Sequence, residues 1–274
     1  MSLADATANL QRAAGAVQVG VRRTERGTVL ETLLQRGCLK ARFPHVGDGM
    51  MEAVLINTSG GVTDGDVLDV SLQAGPDAEL AVSTPSAEKI YRALPNTRAA
   101  RITTHASLAA GAKIDYLPQE TILFENSALD RTLDVELHPD ASFLGVGALL
   151  FGRALSGETL TTLNLRDTVK IRRGERLILH DGTRLQGNVR KVLAASAAAH
   201  QAAAVATIIF VAPDAEAKLD SVREALAEVQ AGASAWNGML LARLVAADGH
   251  QLRRTMTDVL ALLREKPLPR LWAS

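Results

Sequence analysis

Val67–Thr84 reads VLDVSLQAGPDAELAVST, and this stretch decides the kind of fold the chain takes. Val67–Leu72 and Glu79–Thr84 are β-type runs, and Gly75-Pro76-Asp77 between them has the composition of a turn. The same grammar continues outward. Upstream, Val17, Val19 and Val21 alternate with Gln18, Gly20 and Arg22, the period-two pattern of a half-buried strand. Further β-type runs cover Thr28–Leu34, Ala53–Ile56, Arg101–Leu108, Ala112–Leu117, Thr132–Leu137, Ser142–Leu150, Asp167–Ile171 and Arg176–His180. Turn residues at Leu94-Pro95-Asn96, His138-Pro139-Asp140 and His180-Asp181-Gly182 part them. The first two thirds therefore read as mainly β. No repeat of fixed length appears, which argues against a regular solenoid.

The last quarter changes character. Pro213-Asp214 opens a helix with Asp214 as N-cap and Glu216 in the first turn. Leu219, Val222, Leu226 and Val229 then mark one apolar face, and Gly232 lies just beyond. Asn237-Gly238 is a turn signal before a strand at Met239–Val245. A final helix carries Leu252, Met256, Val259, Leu260 and Leu263 on one stripe and stops by Pro267 and Pro269. Aromatics are only 3% of the chain, which weighs against the β reading.

The chain has 274 residues, 47% hydrophobic and 22% charged, in keeping with one globular domain over 1–274 and an N-terminal tail at 1–16. Thirty basic and thirty acidic side chains cancel, so there is no general attraction for nucleic acid or an anionic membrane. Cys38 is the single cysteine, which rules out an intrachain disulfide. No basic and apolar leader opens the sequence, and the Ala-rich stretch from Val192 to Val211 is interrupted by Ser196, His200 and Gln201. The expectation is a cytoplasmic protein.

Asn57-Thr58-Ser59-Gly60-Gly61-Val62-Thr63-Asp64-Gly65-Asp66 is a glycine-rich turn but not a phosphate cradle. A P-loop follows its last Gly with Lys and Ser or Thr, whereas Asp64 and Asp66 flank Gly65 here and would repel phosphate. Asp64, Asp66 and Asp69 lack the terminal Glu of a calcium loop, so a turn with solvated carboxylates is the default. Ser86-Ala87-Glu88-Lys89 matches the Ser-x-x-Lys of penicillin-recognising hydrolases, but the companion Ser-Asp-Asn and Lys-Thr-Gly are absent from the chain. The alternative is a short helical turn after Pro85 presenting Glu88, Lys89 and Arg92. The six histidines show no metal-site spacing. Leu117-Pro118-Gln119-Glu120-Thr121-Ile122 is a strand end, a rigid Pro and a polar pair, and Gly152-Arg153 with Gly157-Glu158 reads as a turn.

Taken in order, these segments resemble the urease accessory protein UreD family, called UreH in some organisms. The likeness rests on Asn57, Gly60, Gly61, Asp64, Gly65 and Asp66, then on Thr84, Glu88, Lys89, Tyr91 and Arg92. It continues through Pro118, Gln119 and Glu120, then Arg153, Gly157 and Glu158, and closes on Pro269-Arg270-Leu271-Trp272. The family pattern Gly-Gly-x-x-Gly-Gly-Asp is broken by Asp64, where Gly is usual. A left-handed backbone there would suit Asp less well than Gly.

The resemblance implies irregular, β-helix-like stacked sheets with about two α-helices in the C-terminal quarter. It implies a urease maturation factor without catalysis or an intrinsic cofactor. Its partners would be the urease apoenzyme and accessory proteins F and G, G being a GTPase that carries nickel. Nickel would be in transit only. Asp64, Asp66, Glu88 and Glu120 are then expected to line or flank a hydrated path. The opposing expectation is that Lys89, Arg92 and Arg153 neutralise them in buried pairs. A Ser86/Lys89 hydrolase and a β-rich interaction domain without a metal role are the competing readings.

Overall fold

The computed structural model describes residues 11–45, 50–152, 160–193 and 202–272. Strands follow in chain order as β1 (Ala14–Thr24), β2 (Gly27–Gly37), β3 (Leu39–Arg42), β4 (Met51–Asn57), β5 (Val67–Ala74), β6 (Glu79–Ser83), β7 (Glu88–Ile90), β8 (Ala100–Leu108) and β9 (Lys113–Leu117). After them come β10 (Thr121–Leu123), β11 (Ala128–Leu137), β12 (Ser142–Phe151), β13 (Thr162–Arg173), β14 (Arg176–Asn188), β15 (Ala204–Val211), β16 (Ala231–Trp236) and β17 (Met239–Ala246). The helices are α1 (Val189–Leu193), α2 (Leu219–Ala225) and α3 (Gly249–Leu263).

From β4 to β13 the chain alternates between two sheets. β5, β8, β11 and β13 stack in parallel in the first, with β1, β2 and β14 beside them. β4, β6, β9 and β12 stack in parallel in the second, which β3, β15, β17 and β16 extend. A narrow third face completes the coil: β7 pairs with β10, β10 with the end of β12, and Val62 bridges to Ile90. The architecture is β-helix-like and irregular. Val67, Arg101, Asp130 and Arg166 occupy one aligned row yet lie 34, 29 and 36 residues apart, which hides the repeat from a search for fixed periods.

Alternation in the sequence becomes two-sidedness in space. Val17, Val19 and Val21 are at most 1% exposed and face the interior with Leu68, Leu72 and Phe143. The outer face of the second sheet is covered by α2 and α3, whose Val222, Leu252, Met256, Val259, Leu260 and Leu263 are buried against it. Asp248 caps α3 by accepting from the Gln251 amide. No helix among the described residues is long and apolar enough to cross a membrane.

Several local expectations give way. Ser86–Arg92 is not a helical turn; Glu88–Ile90 is extended because it ladders with β10. The helix expected from Asp214 to Val229 is a 3-10 turn at Ala215–Lys218 followed by α2, and Asp214 makes no side-chain cap. Gly232 sits inside β16, which pairs with β17 across Asn237-Gly238, both at positive φ as a two-residue hairpin requires. β1 starts at Ala14, inside the expected tail at 1–16. Gly157, Glu158 and Arg153 lie outside the described residues.

The interior packing predicts that Phe143→Ala, at a fully buried position, destabilises the protein by about 3–5 kcal/mol. Denaturant unfolding measures this; a loss below about 1 kcal/mol contradicts the packing.

Candidate functional site

Turns on one side of the coil are tight: residues 75–78, 109–112 and 138–141. Those on the other side are long: residues 58–66, 84–99 and 118–127. The glycine-rich, Thr84–Arg92 and Pro118–Glu120 motifs all fall on this long-turn side, where successive turns are hydrogen-bonded to one another. The Val62 amide donates to the Lys89 carbonyl at 2.8 Å, and the Tyr91 amide returns to the Val62 carbonyl at 2.8 Å. The Glu88 amide donates to the Glu120 carbonyl at 2.9 Å.

Gly61 is at φ 146°, and a Cβ there would lie 2.3 Å from the Tyr91 ring, so the contact excludes any larger residue. Tyr91 donates from its hydroxyl to the Gly60 carbonyl at 3.0 Å and meets Phe124 edge-on at 5.1 Å. Asp64, by contrast, is not among the described non-glycine residues at positive φ; the left-handed residue of that pair is Gly65, at 78°.

The carboxylates of this turn are not solvated. Asp64 is 1% exposed and paired with Arg12 at 2.7 Å. Asp66 is 3% exposed and accepts from the amides of Ala13 at 2.7 Å and Thr63 at 2.8 Å. Arg12 and Ala13, just ahead of β1, are thus fastened to the glycine-rich turn. Glu120, also buried, pairs with Arg253 at 3.2 Å. The cations expected for these groups, Lys89 and Arg92, are not the ones that hold them. Arg12 and Arg253 are.

Between the two sheets lies a cavity of about 560 Å³. Its walls draw on Val70 of β5, Thr104 of β8, Arg131 of β11, Asp167 of β13 and Thr183 of β14. Five neighbouring strands at ~4.8 Å spacing carry the void roughly 19 Å across the sheet. Of the four carboxylates expected on a path, only Glu88 lines it; Asn57, Gly60, Gly61, Thr84, Lys89, Pro118 and Gln119 line it too. Glu88 sits behind the glycine-rich turn with the Asn57 amide group 3.4 Å from each of its carboxylate oxygens. Burial raises the Glu88 pKa above 4.5, and the Asn57 contact offsets only part of that. Among the described residues Glu88 has no basic partner.

Deeper in, Arg131 forks onto Asp167 at 2.9 and 2.6 Å and donates to Thr121 at 2.9 Å. Burial works against the Arg131 charge, and Asp167 outweighs it. Tyr116 and Thr104 hydroxyls meet at 3.2 Å, with burial pushing the phenol upward. Arg243 and Asp181 close the far wall at 2.7 Å, linking the two sheets. Apart from Thr121, none of these inward polar groups belongs to a sequence motif, although the sequence marks them. Arg131 occupies the apolar phase of Leu129, Leu133 and Val135, and Asp167 that of Leu163, Leu165 and Val169. Among the described residues no three His, Cys, Asp or Glu side chains come together to hold a metal.

Ser86 and Lys89 lack the one-turn helical spacing that would set the amine against the hydroxyl, because Lys89 belongs to β7. At the other end of the chain Trp272 is buried and Arg270 exposed. The Trp272 indole donates to the Leu117 carbonyl at 2.9 Å.

The family model described as UreD urease accessory protein matches residues 13–273. A urease accessory protein UreD of Xanthobacter autotrophicus is 44% identical over 266 residues, covering 96% of this chain and 91% of its own. That of Rhizobium leguminosarum bv. viciae is 42% identical over 273 residues, 99% of each chain. That of Azorhizobium caulinodans is 42% identical over 265 residues, 96% of this chain and 97% of its own. With a coiled β body, the motifs gathered on its long-turn side and likeness over nearly its full length, the chain belongs to the UreD urease accessory protein family.

Proposed function

We propose that the chain is a urease maturation factor whose interior passes nickel toward the apoenzyme while its surfaces hold the assembly together. The names of the relatives, urease accessory proteins, support the maturation role. The cavity, with one carboxylate at its glycine-rich end that has no basic partner among the described residues, carries the conduit reading. In this account the partners are the urease apoenzyme and accessory proteins F and G, with G as the nickel-carrying GTPase. The chain acts in the cytoplasm, performs no catalysis and keeps no resident cofactor.

Nickel(II) binds tightly to nitrogen and sulfur, so a passage that must release it is better built from carboxylate, amide and hydroxyl oxygens. Asn57, Thr84, Glu88, Thr104, Gln119 and Thr183 supply such oxygens within walls that are otherwise mostly apolar. Arg131–Asp167 and Arg243–Asp181 are internally neutral and keep the walls polar without trapping an ion. Glu88 is different. Its half-buried charge is met by the Asn57 amide and the Lys89 backbone and by no described cation, so a passing cation is attracted there and released to water and the threonine hydroxyls beyond. Asp64, Asp66 and Glu120 flank this path and support its walls.

Replacing Glu88 by Gln keeps the shape and removes the charge. The expected outcome is urease co-purifying with the variant at wild-type yield but carrying several-fold less nickel. Normal nickel content would sink the role of Glu88, and would favour an interaction domain without a metal role. Stability gives a second check. The native state binds the Glu88 proton more tightly than the unfolded chain, so the burial penalty is fully present above the raised pKa and vanishes below 4.5. Glu88→Gln is therefore more stable than wild type at pH 7, and the difference shrinks as pH falls toward 4.5. A gap constant with pH contradicts the assignment.

A further inference from the structure

We propose that Arg253 is a positioning residue: through the C-terminal strap, residues 268–272, it sets the cavity wall that carries Glu88. The inference rests on the conduit reading above and adds a regulator of the same site.

Arg253 leaves the second turn of α3 and makes contact with two separate segments at once. One guanidinium nitrogen donates to the side chains of Gln119 and Glu120, the latter at 3.2 Å. The other donates to the Leu271 carbonyl at 3.1 Å, and the group lies 4.8 Å over the Trp272 ring. Gln119 also donates to the Leu271 carbonyl at 3.0 Å. The strap and the Pro118–Glu120 loop are thus joined by one planar cation. Lys could not reproduce the fork, because it offers a point charge without fixed divergent donors.

From that loop two bonds run to the cavity wall. The Gln119 amide donates to the Thr84 hydroxyl at 2.9 Å, and that hydroxyl donates to the Ser86 carbonyl at 3.2 Å. The Glu120 carbonyl accepts from the Glu88 amide at 2.9 Å. Thr84, Ser86, Glu88 and Gln119 all line the cavity, whereas Arg253 does not. Gln119 and Glu120 follow Pro118 in a short connection that helix or sheet bonding alone does not hold, so the strap supplies the anchorage. Releasing it loosens the wall at residues 84–90 and leaves the parallel sheets intact.

The test compares full-length wild type with Arg253→Met, Arg253→Lys and Trp272→Phe by hydrogen exchange and by nickel content of co-purified urease. Arg253→Met should speed exchange in residues 84–90 by about ten-fold with β8 and β11 unchanged, and should lower nickel loading. Arg253→Lys should keep the midpoint of thermal unfolding near wild type and still loosen residues 84–90. Trp272→Phe, which loses the bond to Leu117 and weakens the stacking under Arg253, should fall between. If Arg253→Met does not fold, Arg253→Lys decides. Faster exchange confined to residues 117–120 and 268–272 would overturn the proposal and leave Arg253 a local fastener. Glu88→Gln in the same assay separates the two ideas. Normal loading with it removes the conduit, whereas reduced loading beside an unaltered residue 84–90 segment in the Arg253 variants removes only the positioning role.

Discussion

In-register parallel stacking of the coil's turns is the constraint on which everything else rests. β5, β8, β11 and β13 repeat one backbone ladder, so a position facing inward on one strand faces inward on all. Side chains from the two sheets must therefore either meet and fill the interior or keep a gap between them. At Val17, Val19, Leu72 and Phe143 they fill it. At Thr104, Tyr116, Arg131 and Asp167 they do not. Arg131 and Asp167 are withdrawn from bulk solvent but still border the cavity, and the doubled hydrogen bond and the link to Thr121 offset their partial desolvation. Such a pair suits a polar lining better than a dry core.

The same stacking divides the molecule's two sides by role. Tight turns cap one side, while the long turns add the third face and hold the glycine-rich loop against Tyr91 and Glu88. Buried carboxylates clip distant chain ends to this side. Asp64 and Asp66 take the segment at Arg12 and Ala13, and Glu120 takes α3 through Arg253. Chain ends so fastened give the cavity a boundary set by ion pairs and backbone bonds, which are directional, as well as by apolar packing, which is not.

Much of this was legible in the sequence because the physics is local. Alternation at Val17–Val21 and the helical stripe from Leu252 to Leu263 report burial through periods of two and 3.6. Motif order pointed to the family before any geometry. What escaped was non-local. Arg12 meets Asp64 across 52 positions and Arg253 meets Glu120 across 133, distances over which spacing carries no information. The three-residue strands β7 and β10 are too short to show a period, and Ala204–Val211, though rich in Val, Ile, Thr and Phe, is hidden because it continues an Ala-rich run that reads as one apolar stretch. Asp64 and Asp66 seemed solvated because polar residues in a glycine turn usually are. Only the fold shows the amides and guanidinium that cover them.

The central claim is that water and a divalent ion can occupy the space from Glu88 to Asp181. Crystals of the protein soaked in nickel and measured at its absorption edge test it directly. The account predicts ordered water through the space between the sheets and an anomalous peak beside the Glu88 carboxylate. Side chains closed over a dry interior, with nickel only on surface histidines, would contradict it.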